Sequence, residues 1–298
     1  MGNIGAVLVD GVIYSSWLFI IAVGLTLIYG VMRILNLAHG SLYALGAYAA
    51  ASLVGYWFAN GYPPMGSYAL LAAAAVLVGL VAGPLIERGV LRFLYGKDEI
   101  VLVLVTYALF LILEDLIKLV WGVESYVISE PYGLLGSFTL AGLTYPVYNG
   151  VLVLVAVIVG AAIAWVLQGT RAGKLLVAVI HDREMGAALG INVSRMYLVT
   201  FTAGTMLAAI GGALTAPTVS VLPGMGVEVI VLAFAVVVIG GLGSLPGAAL
   251  GALIVGLVRS AAVHWLPQFE LFSIYLVMAL VLIARPRGLF ASAEARKI

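Results

Sequence analysis

An all-α, polytopic transmembrane helical bundle is the fold class that the sequence predicts, and three observations predict it. Of the residues, 64% are hydrophobic and only 9% are charged, with a mean hydropathy of +1.21. A soluble domain carries about 25% charged residues, so this chain lacks the polar surface to face water all round. The apolar runs are hydrophobic on every side, and several approach the roughly 20 residues that cross a hydrocarbon core as a helix. They lack the ten-residue alternation of membrane β-strands. Glycine, at 36 residues, lets such helices approach closely in lipid.

Taken in order, the apolar segments fall at 5–30, 41–58, 67–86, 100–121, 147–167, 197–217, 228–243, 245–262 and 271–284. No basic residue precedes the first run in MGNIGAVLVDG, so it reads as a retained span, not a cleaved signal. The seventh and eighth runs are short and separated by Gly-rich sequence. They are either two crossings or one crossing with a re-entrant piece, so about 8–10 spans are expected, some in Gly/Pro-broken helices. Residues 1–298 are expected to form a single transmembrane domain.

Lys and Arg in short loops set orientation. Arg88, Arg92 and Lys97 occupy one loop, Arg171, Lys174, Arg183 and Arg195 another, and Arg285, Arg287, Arg296 and Lys297 the tail. The stretches 59–66 and 122–146 contain no Lys or Arg. Basic loops in the cytoplasm place the C-terminus inside, Arg33 inside, and, with nine crossings, the N-terminus outside. The connection at 122–146, with Pro131 and Pro146, is then an external loop, and 168–196 is the only substantial cytoplasmic segment. Within the latter, Asp182 suits a helix cap, with Arg183 and Glu184 opening the first turn. Gly190 and Asn192 suit its stop.

Composition and motifs exclude several classes of function. Without cysteine there is no disulfide, thiol nucleophile or thiolate metal site. His39, His181 and His264 are far apart and lack metal-ligand spacing, and neither a GxSxG elbow nor a P-loop is present. No catalytic residue, metal or cofactor is expected, and the net charge of +1 carries no signal for nucleic acid.

The polar residues inside apolar sequence are the remaining candidates, because unsatisfied polar groups in hydrocarbon are costly. ILNLAHGSLYALGAYAA, from Ile34, holds Asn36, His39, Gly40 and Ser41 just past Arg33. Two readings suit this cluster: a bend whose freed polar groups face a cavity, or a turn solvated at the cytoplasmic interface. Thr106 and Tyr107 lie near mid-span, suited either to a small solute or to helix packing. Glu114 and Lys118 are spaced i,i+4 in the order that favours an ion pair. Glu228, near Pro223 and Gly224, reads as interfacial or as lining a mouth. VIGGLGSLPGAALGALIVG, from Val238, holds Gly240, Gly241, Gly243 and Ser244 ahead of Pro246. It cannot be one straight helix, and Gly247 with Gly251 forms a small-xxx-small packing face. GSLYALGA from Gly40 and GSLPGAALGA from Gly243 echo each other, as repeats in transporters do.

Four of these stretches carry a family resemblance. GLTLIYGVMRILNLAHGSLYALGAY (Gly24–Tyr48), DREMGAALGINVSRM, VVVIGGLGSLPGAALGAL and ARPRGLF (Ala284–Phe290) resemble, in that order, the permease subunits of branched-chain amino acid ABC importers. The opening stretch and the short length are more similar to the LivH-like type than to its longer partner. The resemblance implies a transport subunit in a bacterial-type plasma membrane. It also implies ABC ATPase subunits, a second related permease and an external substrate-binding protein as partners. It assigns Asp182, Arg183, Glu184, Ala187, Gly190, Ile191 and Asn192 to coupling with the ATPase. Asn36, His39, Gly40, Ser41, Thr106, Tyr107, Gly240, Gly241, Gly243 and Ser244 are then candidates for the translocation pathway, which would work by alternating access. The cargo it implies is a branched-chain or related small amino acid. Urea, short amides and aromatic acids are alternatives within the same architecture. A stand-alone channel or secondary transporter is the competing class.

Overall fold

The computed structural model describes residues 4–140 and 142–290. Arg296 and Lys297 of the basic tail lie outside the described residues. Twelve helices are described: α1 (Ile4–Met32), α2 (His39–Ala59), α3 (Gly66–Gly89), α4 (Glu99–Trp121), α5 (Glu130–Gly133), α6 (Val147–Gly169), α7 (Arg171–His181), α8 (Arg183–Ala188), α9 (Val193–Thr215), α10 (Met225–Gly240), α11 (Leu245–Trp265) and α12 (Glu270–Ala284). Eight helical stretches are long and apolar enough to cross a membrane. At 16 residues, α10 is about 24 Å long, short of a hydrocarbon core of roughly 30 Å. Among the described residues the chain is thus a multi-pass bundle of eight helices long enough to span a membrane and one shorter apolar helix, α10.

The bundle is built around α1 and α9. α1 packs against α11, α9, α6 and α10, while α9 also packs against α2 and α3. The Ser260 hydroxyl donates to the Val7 carbonyl at 2.8 Å and ties the end of α11 to the start of α1. Small residues permit these contacts. A Cβ on Gly247 would stand 2.3 Å from the Gly240 carbonyl, and one on Gly251 would stand 2.4 Å from that of Val236. The Gly247–Gly251 face therefore packs as its spacing predicts, with α11 lying backbone to backbone on α10.

Local features refine or differ from expectation. Within the connection 122–146, β1 (Ser137–Leu140) and β2 (Leu143–Pro146) form an antiparallel hairpin. Its Phe138 and Leu140 share an apolar groove with Leu8 and Val12 of α1, which marks one end of the bundle as the hairpin end. At the opposite end, 168–196 forms two helices in place of one. Thr170 caps α7 through Gly173 N–H, and Asp182 caps α8 through Met185 N–H at 2.9 Å. Gly190, with φ +81°, ends α8, but Asn192 caps the next helix, accepting from Arg195 N–H at 2.9 Å. Asparagine's short amide serves a helix start as readily as a stop.

The seventh and eighth runs are two helices separated by residues 241–244, where Gly241 and Gly243 take φ of +105° and +77°. The last carbonyls of α10 do not stay open. Leu289 N–H donates to Ile239 O at 3.0 Å and Phe290 N–H to Gly240 O at 2.9 Å. A stretch beyond α12 thereby supplies the donors that a helix C-terminus lacks.

Candidate functional site: a mid-bundle bend and a charged cavity

α1 stops where Arg33 takes φ +56°, the left-handed conformation that ends helices. Residues 33–38 then climb back beside α1. His39 Nε2 lies 3.0 Å from the Ile21 carbonyl, about 16 Å in from the end of α1 at Met32. α2 therefore begins deep in the bundle. Asn36, His39 and Ser41 are each 0% exposed, which removes the solvated-turn reading.

Several elements converge on this start. Thr106 Oγ1 donates to Leu35 O at 2.9 Å and accepts from Leu37 N–H at 3.3 Å, clamping the bend to α4. Gly40 abuts α10, where a Cβ would stand 2.3 Å from the Gly226 carbonyl. Both amide atoms of Asn36 and Nδ1 of His39 are buried without a hydrogen-bond partner. Each such group costs about 1–3 kcal/mol. Tyr107 is not part of this cluster; it is 50% exposed and stacks on Phe110.

Glu114 corrects the expected i,i+4 ion pair. Lys118 pairs with Asp115 at 3.1 Å, whereas Glu114 turns inward and is buried. Its Oε2 accepts from Gly224 N–H at 3.0 Å, and Oε1 accepts from Ser41 Oγ at 3.4 Å. The carboxylate sits at the N-terminus of α10, where a negative charge suits the unpaired N–H groups. Spacing along α4 favours both partners equally. The core face of the helix decides between them.

Beside this junction lies a cavity of about 610 Å³, within the range of small-ligand sites. Tyr14 and Trp17 of α1, Tyr43 of α2, Glu228 of α10 and Arg259 of α11 line it, together with the loop from Thr218 to Gly224. Tyr43 Oη and Thr215 Oγ1 are 2.6 Å apart and fix one wall. The Arg259 guanidinium lies 4.0 Å over the Tyr14 ring and pairs with Glu270 of α12. Glu228 makes no ion pair among the described residues. The cavity therefore offers an acid, a cation and aromatic walls, arranged to receive a small polar solute with an apolar part.

Sequence reasoning admitted Glu228 as a mouth-lining acid but passed over Tyr14, Trp17, Tyr43, Thr215 and Arg259. Arg259 carried a signal, being a lone cation inside an apolar run. The aromatic residues carried none apart from the bundle that gathers them. The second candidate cluster sits elsewhere. Gly243 packs on Gly30 near the end of α1, with a Cβ there 3.1 Å from Gly30 Cα, and Ser244 caps α11 through Gly247 N–H at 3.2 Å. Gly240 and Gly241 complete that break. Asp182, Arg183, Glu184, Ala187, Gly190, Ile191 and Asn192 lie together at the end opposite the hairpin, in and just after α8.

Relatives agree with this architecture along nearly its whole length. The chain is 26% identical over 297 residues to the high-affinity branched-chain amino acid transport system permease protein LivH of Salmonella typhimurium, covering 97% of this chain and 96% of that one. It is 28% identical over 299 residues to the corresponding permease protein BraD of Pseudomonas aeruginosa, covering 98% and 97%. The probable branched-chain amino acid transport permease protein LivH of Methanocaldococcus jannaschii is 27% identical over 304 residues, covering 95% of this chain and 91% of that one. Among solved structures, PsaBC from Streptococcus pneumoniae in complex with Fab shares the fold, with a TM-score of 0.51 at 12% identity over 92% of this chain and 89% of that one. The profile of one family matches residues 7–284, and the chain accordingly belongs to that family, the permease component of the branched-chain amino acid transport system.

Proposed function

We propose that this chain is the membrane-spanning permease subunit of an ATP-driven importer that carries branched-chain or related small amino acids into the cytoplasm. One observation carries the reading: a cavity with an unpaired carboxylate, Glu228, and a cation, Arg259, in a chain of this family. Arg259 uses part of its donor set on Glu270, and its other N–H groups remain for a solute carboxylate. Glu228 suits the ammonium, and Tyr14, Trp17 and Tyr43 suit an aliphatic side chain. Urea and short amides have no use for two opposite charges.

In this reading the hairpin end faces outward, with the N-terminus, and receives solute from an external binding protein. The end with α7 and α8 faces the cytoplasm, along with the basic stretch after α12. Separate ATPase subunits bind α8 and residues 182–192, a second related permease completes the pore, and this chain itself catalyses nothing. Closure of the ATPase pair moves α8, and the breaks at 33–38 and 241–244 let the spans rock between outward-open and inward-open states. Asn36, His39, Ser41 and Thr106 belong to the gate at the first break. Gly240, Gly241, Gly243 and Ser244 belong to the second.

The test is uptake of labelled leucine by proteoliposomes containing the assembled complex. Glu228→Gln and Arg259→Gln are expected to lower uptake at least roughly ten-fold, the loss of a charge-assisted contact. Glu184→Arg is expected to leave ATP hydrolysis intact while uncoupling it from uptake. Full transport by this chain alone, without ATP, would instead establish a channel or secondary transporter.

A further inference from the structure

A second charged recess lies at the α7–α8 end, far from the cavity lined by Glu228. It has a volume of about 440 Å³ and lies between the end of α3 and the start of α9. Arg88, Arg92 and Arg195 line it, with Asn192, which caps α9 at the edge of the coupling segment, and Ser194 in the first turn of α9. None of the three guanidinium groups has a carboxylate within salt-bridge distance among the described residues. Glu87 also lines the recess, but its carboxylate is buried and accepts the hydroxyl of Tyr95. Unpaired positive charge in the recess thus exceeds negative charge. We propose that this recess holds the phosphate headgroup of an anionic phospholipid.

Location and flanking surface favour a lipid over an acidic protein segment. The recess sits at the end of a helical stretch long and apolar enough to cross a membrane, where headgroups would lie. Leu198 and Val199 line its apolar side, with Val199 56% exposed, and Leu85 and Phe93, near Arg88 and Arg92 in sequence, are exposed as well. Acyl chains lie along Val199 while the phosphate takes bidentate contacts from the arginines. Basic pockets between spans have this chemistry for anionic headgroups. An acidic peptide would satisfy the arginines and leave the apolar side uncovered.

Native mass spectrometry of the purified full-length chain, titrated with phosphatidylglycerol or phosphatidylcholine, tests the assignment. Phosphatidylglycerol is expected to bind roughly ten- to thirty-fold more tightly, from about two net charges. The combined Arg88→Gln, Arg92→Gln and Arg195→Gln variant is expected to lose that preference, whereas Arg285→Gln with Arg287→Gln keeps it. Should the triple variant fail to fold, each single change, beginning with the exposed Arg92, is expected to weaken the preference about five-fold. Equal binding of the two lipids, unchanged preference in all three single variants, or equal loss in the Arg285/Arg287 control would overturn the proposal. So would displacement by inorganic phosphate as effective as by added phosphatidylglycerol, which would mark a free-anion site. None of these outcomes depends on transport, so the proposal fails or stands apart from the importer reading.

Discussion

Gly40→Ala isolates the contact on which the bend depends. The added Cβ would stand 2.3 Å from the Gly226 carbonyl oxygen and 2.9 Å from Ile230 Cβ. A carbon and a carbonyl oxygen rest at about 3.3–3.6 Å, so α2 and α10 must separate by about 1 Å. Both neighbours are backbone or β-branched, and neither can swing aside. Overpacking of this kind costs about 1–3 kcal/mol. Gly55 on the same helix supplies the control, because a Cβ there meets nothing within 4 Å. In a helix interior, Gly55→Ala should be neutral or stabilising by up to about 1 kcal/mol. The assay is denaturant unfolding of the purified protein, paired with leucine uptake by the reconstituted complex. Gly40→Ala should be less stable than Gly55→Ala by about 1–4 kcal/mol, summing the two effects, and should transport more slowly. Equal stability of the two variants would refute the close α2–α10 contact and the packing argument built on it.

Glu114→Ala should cost about 1–3 kcal/mol by orphaning Gly224 N–H, while Asp115→Ala, on the exposed side of α4, should leave unfolding unchanged. Asn36→Leu removes two buried, unpartnered polar atoms; it should be neutral or stabilising by about 1–2 kcal/mol in unfolding yet slow uptake, and normal uptake would assign Asn36 to packing alone. Gly190→Trp places a bulky side chain at φ +81° and should uncouple ATP hydrolysis from uptake, with unaltered coupling removing α8 from the ATPase contact. Asp182→Ala should cost about 1 kcal/mol of local helix stability, seen as faster amide exchange at Met185.

Features set by local chemistry were legible in the sequence. The 241–244 break follows from clustered glycines ahead of Pro246, and the start of α8 follows from Asp182 alone. The polar cluster at Asn36–Ser41 was visible as well, but its depth was not. Spacing does not tell how far residues 33–38 climb, because the partners that hold them there, Ile21 and Thr106, sit on other helices. Glu114 shows the same limit more sharply. Its i,i+4 relation to Lys118 was real, yet the better partner was Gly224, 110 positions away. The cavity depends wholly on such long-range assembly, since α1, α2, α9, α10, α11 and the loop from Thr218 to Gly224 all contribute to its lining. Arg259 could have been singled out as a cation in hydrocarbon, whereas Tyr14 and Tyr43 look like any other aromatic residues in an apolar run.

The bonds from Leu289 and Phe290 to the end of α10 impose an order on biosynthesis. α10 is synthesised before residues 289 and 290, so its final carbonyls lack these donors until that stretch has followed it. The stretch after α12 thus closes the second break from a distant part of the chain. Proline at position 289 would remove one of these donors and should let newly made chains insert normally yet mature slowly.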